Sequence, residues 1–454
     1  MHFTLRFLSL CAIIVSALVF NSTAHAQAPQ CHTVDDKQIN GAYRFADGSL
    51  ASILPSEPNG NRRITHFDSG KSHKLLQSSD LSFQSGGDLD STAPVAFRYQ
   101  FKLGKDGLAE SLTIESTLNT AIHKQIAKKV RLAEELVTFK SGDTELFGKL
   151  TLPSNVKSKS PYKTVIFVHG SDKVASVDQE WLPHLMAANG IATFVFDKRG
   201  SGCSKGEYVQ HFDVLANDVT TAINWLTTKS AIDKNSIGLV GFSQGGWVAP
   251  LAALKDPRIK FAAIGYGLTM SMADEDRLEA PLKLKEAGID NASIAEYQEL
   301  NAALHKGARE KFKDWRELET ALEKFKDKPW IATAKSMQSW VGVVLQMGVP
   351  QAKQVAPQMF EHFFQPFYEP VPTLEKLNIP MLWLIAEKDI EAPPELTIET
   401  LKRLRQQGKP ITTVVFPNAD HGLQEFELRD GKRVKTKYAA DYFSTLLKWV
   451  QSQK

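Results

Sequence analysis

The chain has 454 residues, of which 43% are hydrophobic and 23% charged, with a formal net charge of +3. That composition excludes a disordered chain, and 28 Gly, 21 Pro and three Cys exclude collagen-like, low-complexity and disulfide-built scaffolds. Lys+Arg 54 against Asp+Glu 51, with no basic run, leaves no electrostatic footprint for nucleic acid.

Arg6 precedes an apolar run at residues 7–20, and a polar stretch then ends Ala24-His25-Ala26. This is the order of a secretory signal peptide, too short for a spanning helix of about 20 residues, so cleavage after Ala26 and export to the periplasm or medium are expected. Beyond it no window is apolar enough to insert stably in a membrane. Cys11 leaves with the signal, and Cys31 and Cys203 remain, paired or not.

Residues 27–134 read as a small β-rich domain. Turn pairs such as Asn40-Gly41, Asp47-Gly48 and Asp106-Gly107 separate short alternating segments, and residues 95–103 alternate with period two. The polar residues 121–129 read as a linker or short helix. From 135 to 454 the pattern changes. A hairpin pattern at 136–152 is followed by apolar runs at 164–168, 191–196, 237–240 and 261–264, with helical spacing between them. Continuous apolar strands alternating with amphipathic helices predict a mostly parallel sheet covered on both faces. The alternation stops at about 269–367, where only helical patterns occur. It resumes with strands at 380–385 and 411–416 and a closing helix at 438–450. The hundred-residue stretch is therefore read as a helical insertion in a sheet domain.

Chemistry-bearing residues fall at the ends of these strands. Gly241-Phe242-Ser243-Gln244-Gly245 follows one strand and opens a helix, the context in which a G-x-S-x-G turn exposes a nucleophilic serine. A serine hydroxyl needs a base, and the base needs an orienting carboxylate. His421, just past the strand at 411–416, is the only one of twelve His that lies after Ser243 and outside the insertion. Asp389, just past the strand at 380–385, is the candidate acid, with Glu387 as its main competitor. Glu391 also lies near, and Asp420 adjoins His421 but points away from it on an extended loop. The oxyanion needs two N–H donors: Gln244, which follows the nucleophile, and Ser171 in His169-Gly170-Ser171-Asp172, with Gly170 as the alternative. Lys198 and Arg199, in the loop Asp197-Lys198-Arg199-Gly200, read mainly as structural cations and secondarily as binders of an anionic substrate group. Trp330, Trp340, Phe360, Phe363, Phe364 and Phe367 in the insertion are candidates for an apolar pocket. No metal motif and no cofactor motif occurs.

On His169-Gly170, Asp197-Lys198-Arg199-Gly200, Gly241-x-Ser243-x-Gly245, Asp389 and His421-Gly422, residues 135–454 resemble the α/β-hydrolase superfamily, and within it exported bacterial esterases and the hydrolase domain of prolyl-oligopeptidase-like enzymes. Ala386 departs from the glycine that many relatives carry before the acid. The resemblance implies a Ser243–His421–Asp389 triad, an acyl-enzyme without cofactor, and a lid in the insertion. The leading expectation is a carboxylesterase acting on a small ester. The runner-up is a serine peptidase of prolyl-oligopeptidase or aminopeptidase type acting on short peptides, although four propeller blades of about 40 residues do not fit before residue 135. An inactive envelope binding module is the third.

Overall fold

The computed structural model describes residues 38–55, 61–117, 123–153 and 161–454. The segment 1–26, read as a signal peptide, and Cys31 lie outside the described residues.

Eight antiparallel strands form a closed barrel: β1 (Gly41–Phe45), β2 (Leu50–Pro55), β3 (Arg62–His66), β4 (Ser72–Ser79), β5 (Ser82–Ser85), β6 (Phe97–Leu103), β7 (Ala109–Ser116) and β8 (His123–Lys129). Each strand pairs with the next, and β8 returns to β1 through Tyr43↔Lys129 and Phe45↔Ala127. Closure removes the exposed edges that a short meander would present. The interior is filled by Tyr43, Ile53, Ile64, Leu75, Phe83, Tyr99, Phe101 and Leu112. Within the stretch read as a linker or short helix, residues 123–129 are thus the strand that closes the barrel. Ala127 is fully buried in it, while its neighbour Ile126 is 55% exposed. A single small inward residue left no apolar alternation to read.

The second unit is an eight-stranded sheet of β9 (Ala133–Ser141), β10 (Thr144–Leu152), β11 (Tyr162–Val168), β12 (Ala192–Phe196), β13 (Ile232–Phe242), β14 (Ile259–Gly265), β15 (Met381–Ala386) and β16 (Ile411–Phe416). Its spatial order is β16-β15-β14-β13-β11-β12-β10-β9. The pairs β9–β10 and β10–β12 are antiparallel and the remainder parallel. Two apolar cores lie on its two faces. One carries Phe194, Leu239, Ile264 and Trp383 against the helices Phe212–Leu226 and Gly245–Lys255. The other carries Val165, Phe167, Val240 and Leu384 against the helix Tyr442–Ser452. The continuous burial of these strands explains their unbroken apolar runs.

Between β14 and β15, which are adjacent and parallel, the chain leaves the sheet for a run of helices from Met272–Glu286 to Val349–Gln358. They hold a separate core of Tyr297, Leu300, Phe325 and Trp330. The helical pattern at 331–345 divides into two helices, because Ser339 caps Trp340–Met347 by accepting from the Gly342 N–H at 3.1 Å.

After β16 comes a small sheet of β17 (Ala419–Asp420), β18 (Gln424–Arg429) and β19 (Lys432–Tyr438). It occupies the start of the segment read as the closing helix, which begins only at Tyr442. His421 sits in the turn between β17 and β18, and the barrel braces this hairpin. Tyr438 donates its N–H to the Gly70 carbonyl at 2.8 Å, and Arg429 pairs with Asp88 at 2.6 Å. Gly70 has φ +70°, and a Cβ there would stand 2.3 Å from the Tyr438 carbonyl oxygen. Gly70→Val is therefore expected to destabilise the protein by about 1–3 kcal/mol from backbone strain alone. Turnover is expected to fall with it, because Tyr438 ends the hairpin that carries His421. Thermal unfolding and initial rates on one preparation test this, and unchanged rates would show that the barrel does not brace the site.

Candidate active site

Ser243 lies at the carboxyl end of β13 with φ +48°, a left-handed conformation that is rare for a side-chain-bearing residue. It is held there from both sides. Its N–H donates to the Gly265 carbonyl at 3.0 Å, and its carbonyl accepts from Gly246 at 2.7 Å as the helix Gly245–Lys255 begins. The flanking glycines are required by contact. A Cβ on Gly241 would lie 2.6 Å from the Gly245 carbonyl oxygen, and one on Gly245 would lie 2.5 Å from that of Val168. The strained turn thrusts the hydroxyl into a cavity of about 510 Å³ at the carboxyl end of the sheet, where open α/β sheets place their sites.

His421 opens into the same cavity. Its Nδ1 meets Asp389 Oδ2 at 2.8 Å. Asp389 is buried, and its other oxygen accepts the N–H groups of Glu391 at 2.9 Å and Ala392 at 2.7 Å. These bonds fix the carboxylate before the imidazole meets it. Glu387 pairs instead with Lys388 at 3.1 Å and is about half exposed, and Asp420 pairs with Arg433 at 3.1 Å. Ala386 ends β15 fully buried, so the missing glycine does not displace Asp389. Burial opposes a charge on His421, but Asp389 and then Glu391 outweigh it and push the imidazole up to about 9. Tyr266 stands edge-on to the imidazole at 4.8 Å, and its φ is +41°. The sequence analysis did not single out Tyr266, and its place just past the carboxyl end of β14 is the signal that could have found it.

Gln244 and Ser171 both line the cavity. Among the described residues the N–H of neither meets a protein acceptor. Gly170 approaches Ser243 so closely that a Cβ on it would lie 3.5 Å from the serine Cβ. The site thus sets two unengaged donors beside a strained serine. His169 is a brace: its Nε2 lies 3.1 Å from the Phe196 carbonyl, and burial with Lys198 nearby lowers it to about 3. Arg199 grips buried Asp218 with two bonds of 2.9 and 2.5 Å, so it holds its loop, and it does not line the cavity. Cys203 lies in that loop with its N–H on Asp197 Oδ2 at 2.9 Å.

The sequence profile of the serine aminopeptidases, family S33, matches residues 159–428. The chain belongs to that family. The S33 match spans β11 to β18 and so includes Ser243, Asp389, His421 and the helical insertion, and this α/β-hydrolase family is one of serine hydrolases. Shorter stretches are similar to curated proteins. Over 97 residues the chain is 34% identical to an uncharacterised 31.7 kDa protein of Escherichia coli, covering 21% of this chain and 34% of that one. Over 98 residues it is 32% identical to a thiohydrolase of Aspergillus aculeatus, covering 21% and 31%. The aligned part therefore spans about a third of the length of these relatives. Among solved structures, the acylaminoacyl peptidase of Pyrococcus horikoshii is similar at 15% identity and a TM-score of 0.41, covering 80% of this chain and 51% of that one.

In this S33 member the insertion forms one wall of the cavity. Met272, Glu275, Asp276, Glu279 and Lys283 come from its first helix. Burial raises Glu279 to about 7 against the pull of Lys283, and burial with Glu279 raises Glu275. Glu180, which also lines the cavity, is raised to about 7 by burial. Asp276 accepts the Trp340 N–H at 2.8 Å and meets His305 at 2.8 Å, and the two rings stack at 4.5 Å. Trp340 and Met272 also line a second, wholly apolar pocket of about 70 Å³, with Leu304, Val343, Phe360 and Phe364. Of the aromatics singled out in the sequence, Trp340, Phe360 and Phe364 thus reach a pocket, while Trp330 is buried in the lid core. Among the described residues no three His, Cys, Asp or Glu side chains are grouped to hold a metal ion.

Proposed function

We propose that this protein is a carboxylic ester hydrolase that works through an acyl-enzyme. The observation that carries the reading is the 2.8 Å His421–Asp389 pair opening into the cavity that holds the left-handed Ser243. Ser243 attacks the ester carbonyl while neutral His421 takes its proton at Nε2, and Asp389 holds the imidazole in that tautomer. The N–H groups of Gln244 and Ser171 receive the oxyanion. The ester C–O bond then breaks, His421 returns the proton to the leaving alcohol, and water releases the acid by the same steps in reverse. The apolar pocket behind Trp340 and Met272 supports an acyl group with a short apolar end.

A second reading rests on the carboxylates of the lid wall. Glu275 and Glu279 face the cavity one helical turn apart, and a substrate with a free amino group would place its ammonium there, as an aminopeptidase requires. Paired assays separate the readings: p-nitrophenyl esters of increasing acyl length beside aminoacyl p-nitroanilides. Ester turnover that peaks at short chains, with slow anilide release, is expected. Anilide release without ester turnover would overturn the esterase reading in favour of the peptidase.

A further inference from the structure

Lys198 was read from sequence mainly as a structural cation that holds its own loop, and it does hold a loop, but the neighbouring one, through a backbone carbonyl. The residue is 3% exposed, and its side-chain nitrogen donates to the Gly170 carbonyl at 2.6 Å. It reaches Gln244 Oε1 at 3.5 Å and lies 4.9 Å from the centre of the Tyr208 ring. The Tyr208 hydroxyl in turn donates to the Ser171 carbonyl. Both carbonyls of the segment beside Ser243 are therefore held by side chains from the loop after β12. An unpaired cation is costly to bury, and here burial pulls the lysine down to about 7 against the opposing pull of Asp172.

The chemistry of the peptide bond gives this contact a consequence. The Gly170 carbonyl and the Ser171 N–H belong to one planar trans unit, so they point in opposite directions. Fixing the oxygen on Lys198 fixes the direction of the N–H. A hydrogen bond donated to the oxygen, from the amine or the ammonium, also draws electron density from the amide and makes its N–H a stronger donor. The second grip, Tyr208 on the Ser171 carbonyl, fixes the next peptide plane. That grip is tied to the lid. Gln210 Nε2 donates to the Tyr208 hydroxyl at 3.0 Å, and the Gln210 N–H donates to the Phe363 carbonyl at 2.7 Å.

We propose that Lys198 and Tyr208 are positioning residues that clamp the Gly170–Ser171 segment and aim the Ser171 N–H at the oxyanion formed on the Ser243 adduct. This rests on the serine-hydrolase reading above. A clamp of this kind acts on the transition state and leaves ground-state ester binding alone.

The test compares wild type, Lys198→Met and Tyr208→Phe. It measures kcat and KM on a p-nitrophenyl ester, affinity for a trifluoromethyl ketone that forms a tetrahedral adduct, and thermal unfolding. Lys198→Met is expected to lower kcat by about 10²-fold with KM unchanged, the size of losing one oxyanion donor. Ketone affinity is expected to fall in parallel. Tyr208→Phe should move the same quantities by about tenfold, and the double variant should lose less than the product, since both act on one segment. Unfolding of Lys198→Met is expected to be unchanged or shifted upward, since a buried charge is removed. Lost thermal stability with kcat retained would mark Lys198 as merely structural and overturn the clamp. Should Lys198→Met fail to fold, Tyr208→Phe carries the test, and an unchanged kcat in it overturns the proposal. Fluorophosphonate labelling of wild type separates the two levels. Labelling with ester turnover and an unaffected Lys198→Met defeats the clamp alone, whereas no labelling and no turnover of either substrate class defeats the hydrolase reading and the clamp with it.

Discussion

Ser243→Ala is expected to abolish covalent labelling by a fluorophosphonate and to lower ester turnover by about 10⁴- to 10⁶-fold, with the fold intact. The change removes a single oxygen. The Cβ that sets the strain at φ +48° remains, as do the backbone bonds to Gly265 and Gly246 that hold the turn. Thermal unfolding should therefore match wild type within about 1 kcal/mol. The residual rate expected above the uncatalysed reaction comes from the Gln244 and Ser171 donors, which do not depend on the hydroxyl. Labelling that persists in Ser243→Ala would move the nucleophile elsewhere and remove the basis of the reading.

The placement of the candidates Ser243, Asp389 and His421 at strand ends was legible in the sequence because each requirement is local. A parallel strand buried on both faces reads as an apolar run, and in open α/β sheets its carboxyl end faces the site. Ser243, Asp389, His421, Gly170 and Lys198 each stand within five residues of such an end. The barrel was legible as β structure but not as a closed shell, because closure depends on β8, whose inward face offers only Ala127 to the core. The hairpin after His421 escaped for a similar reason. Leu428 in β18 is 68% exposed, so its alternation reports no buried face. The grip of Lys198 on Gly170 was not legible at all. Its partner lies 28 residues earlier on a neighbouring strand end, and an isolated lysine in a polar loop carries no sign that it turns inward.

The second large effect expected is that of Asp389→Asn, which should lower kcat by about 10⁴-fold while leaving KM nearly unchanged. The asparagine oxygen still accepts from Glu391 and Ala392, so its amide nitrogen turns toward His421 Nδ1. That nitrogen then becomes an acceptor, the ring proton moves to Nε2, and the imidazole can no longer take the serine proton. The pH dependence follows with a definite sign. In wild type, His421 is raised to about 9, chiefly by Asp389 and then by Glu391, both overcoming burial. Only the neutral ring is a base, so kcat/KM should rise with pH along a limb well above the usual histidine range. Because the folded value exceeds the unfolded one of about 6.5, the charged His421–Asp389 pair stabilises the fold fully below pH 6.5. That contribution is lost as pH rises through about 9. Glu391→Gln should move the limb to lower pH with the maximal rate kept. Asp389→Asn should abolish the fall in thermal stability between these pH values. Near-wild-type turnover in Asp389→Asn would transfer the orienting role to another carboxylate. Glu391 would then be the candidate, since it shares the cavity with His421, whereas Glu387 is already paired with Lys388.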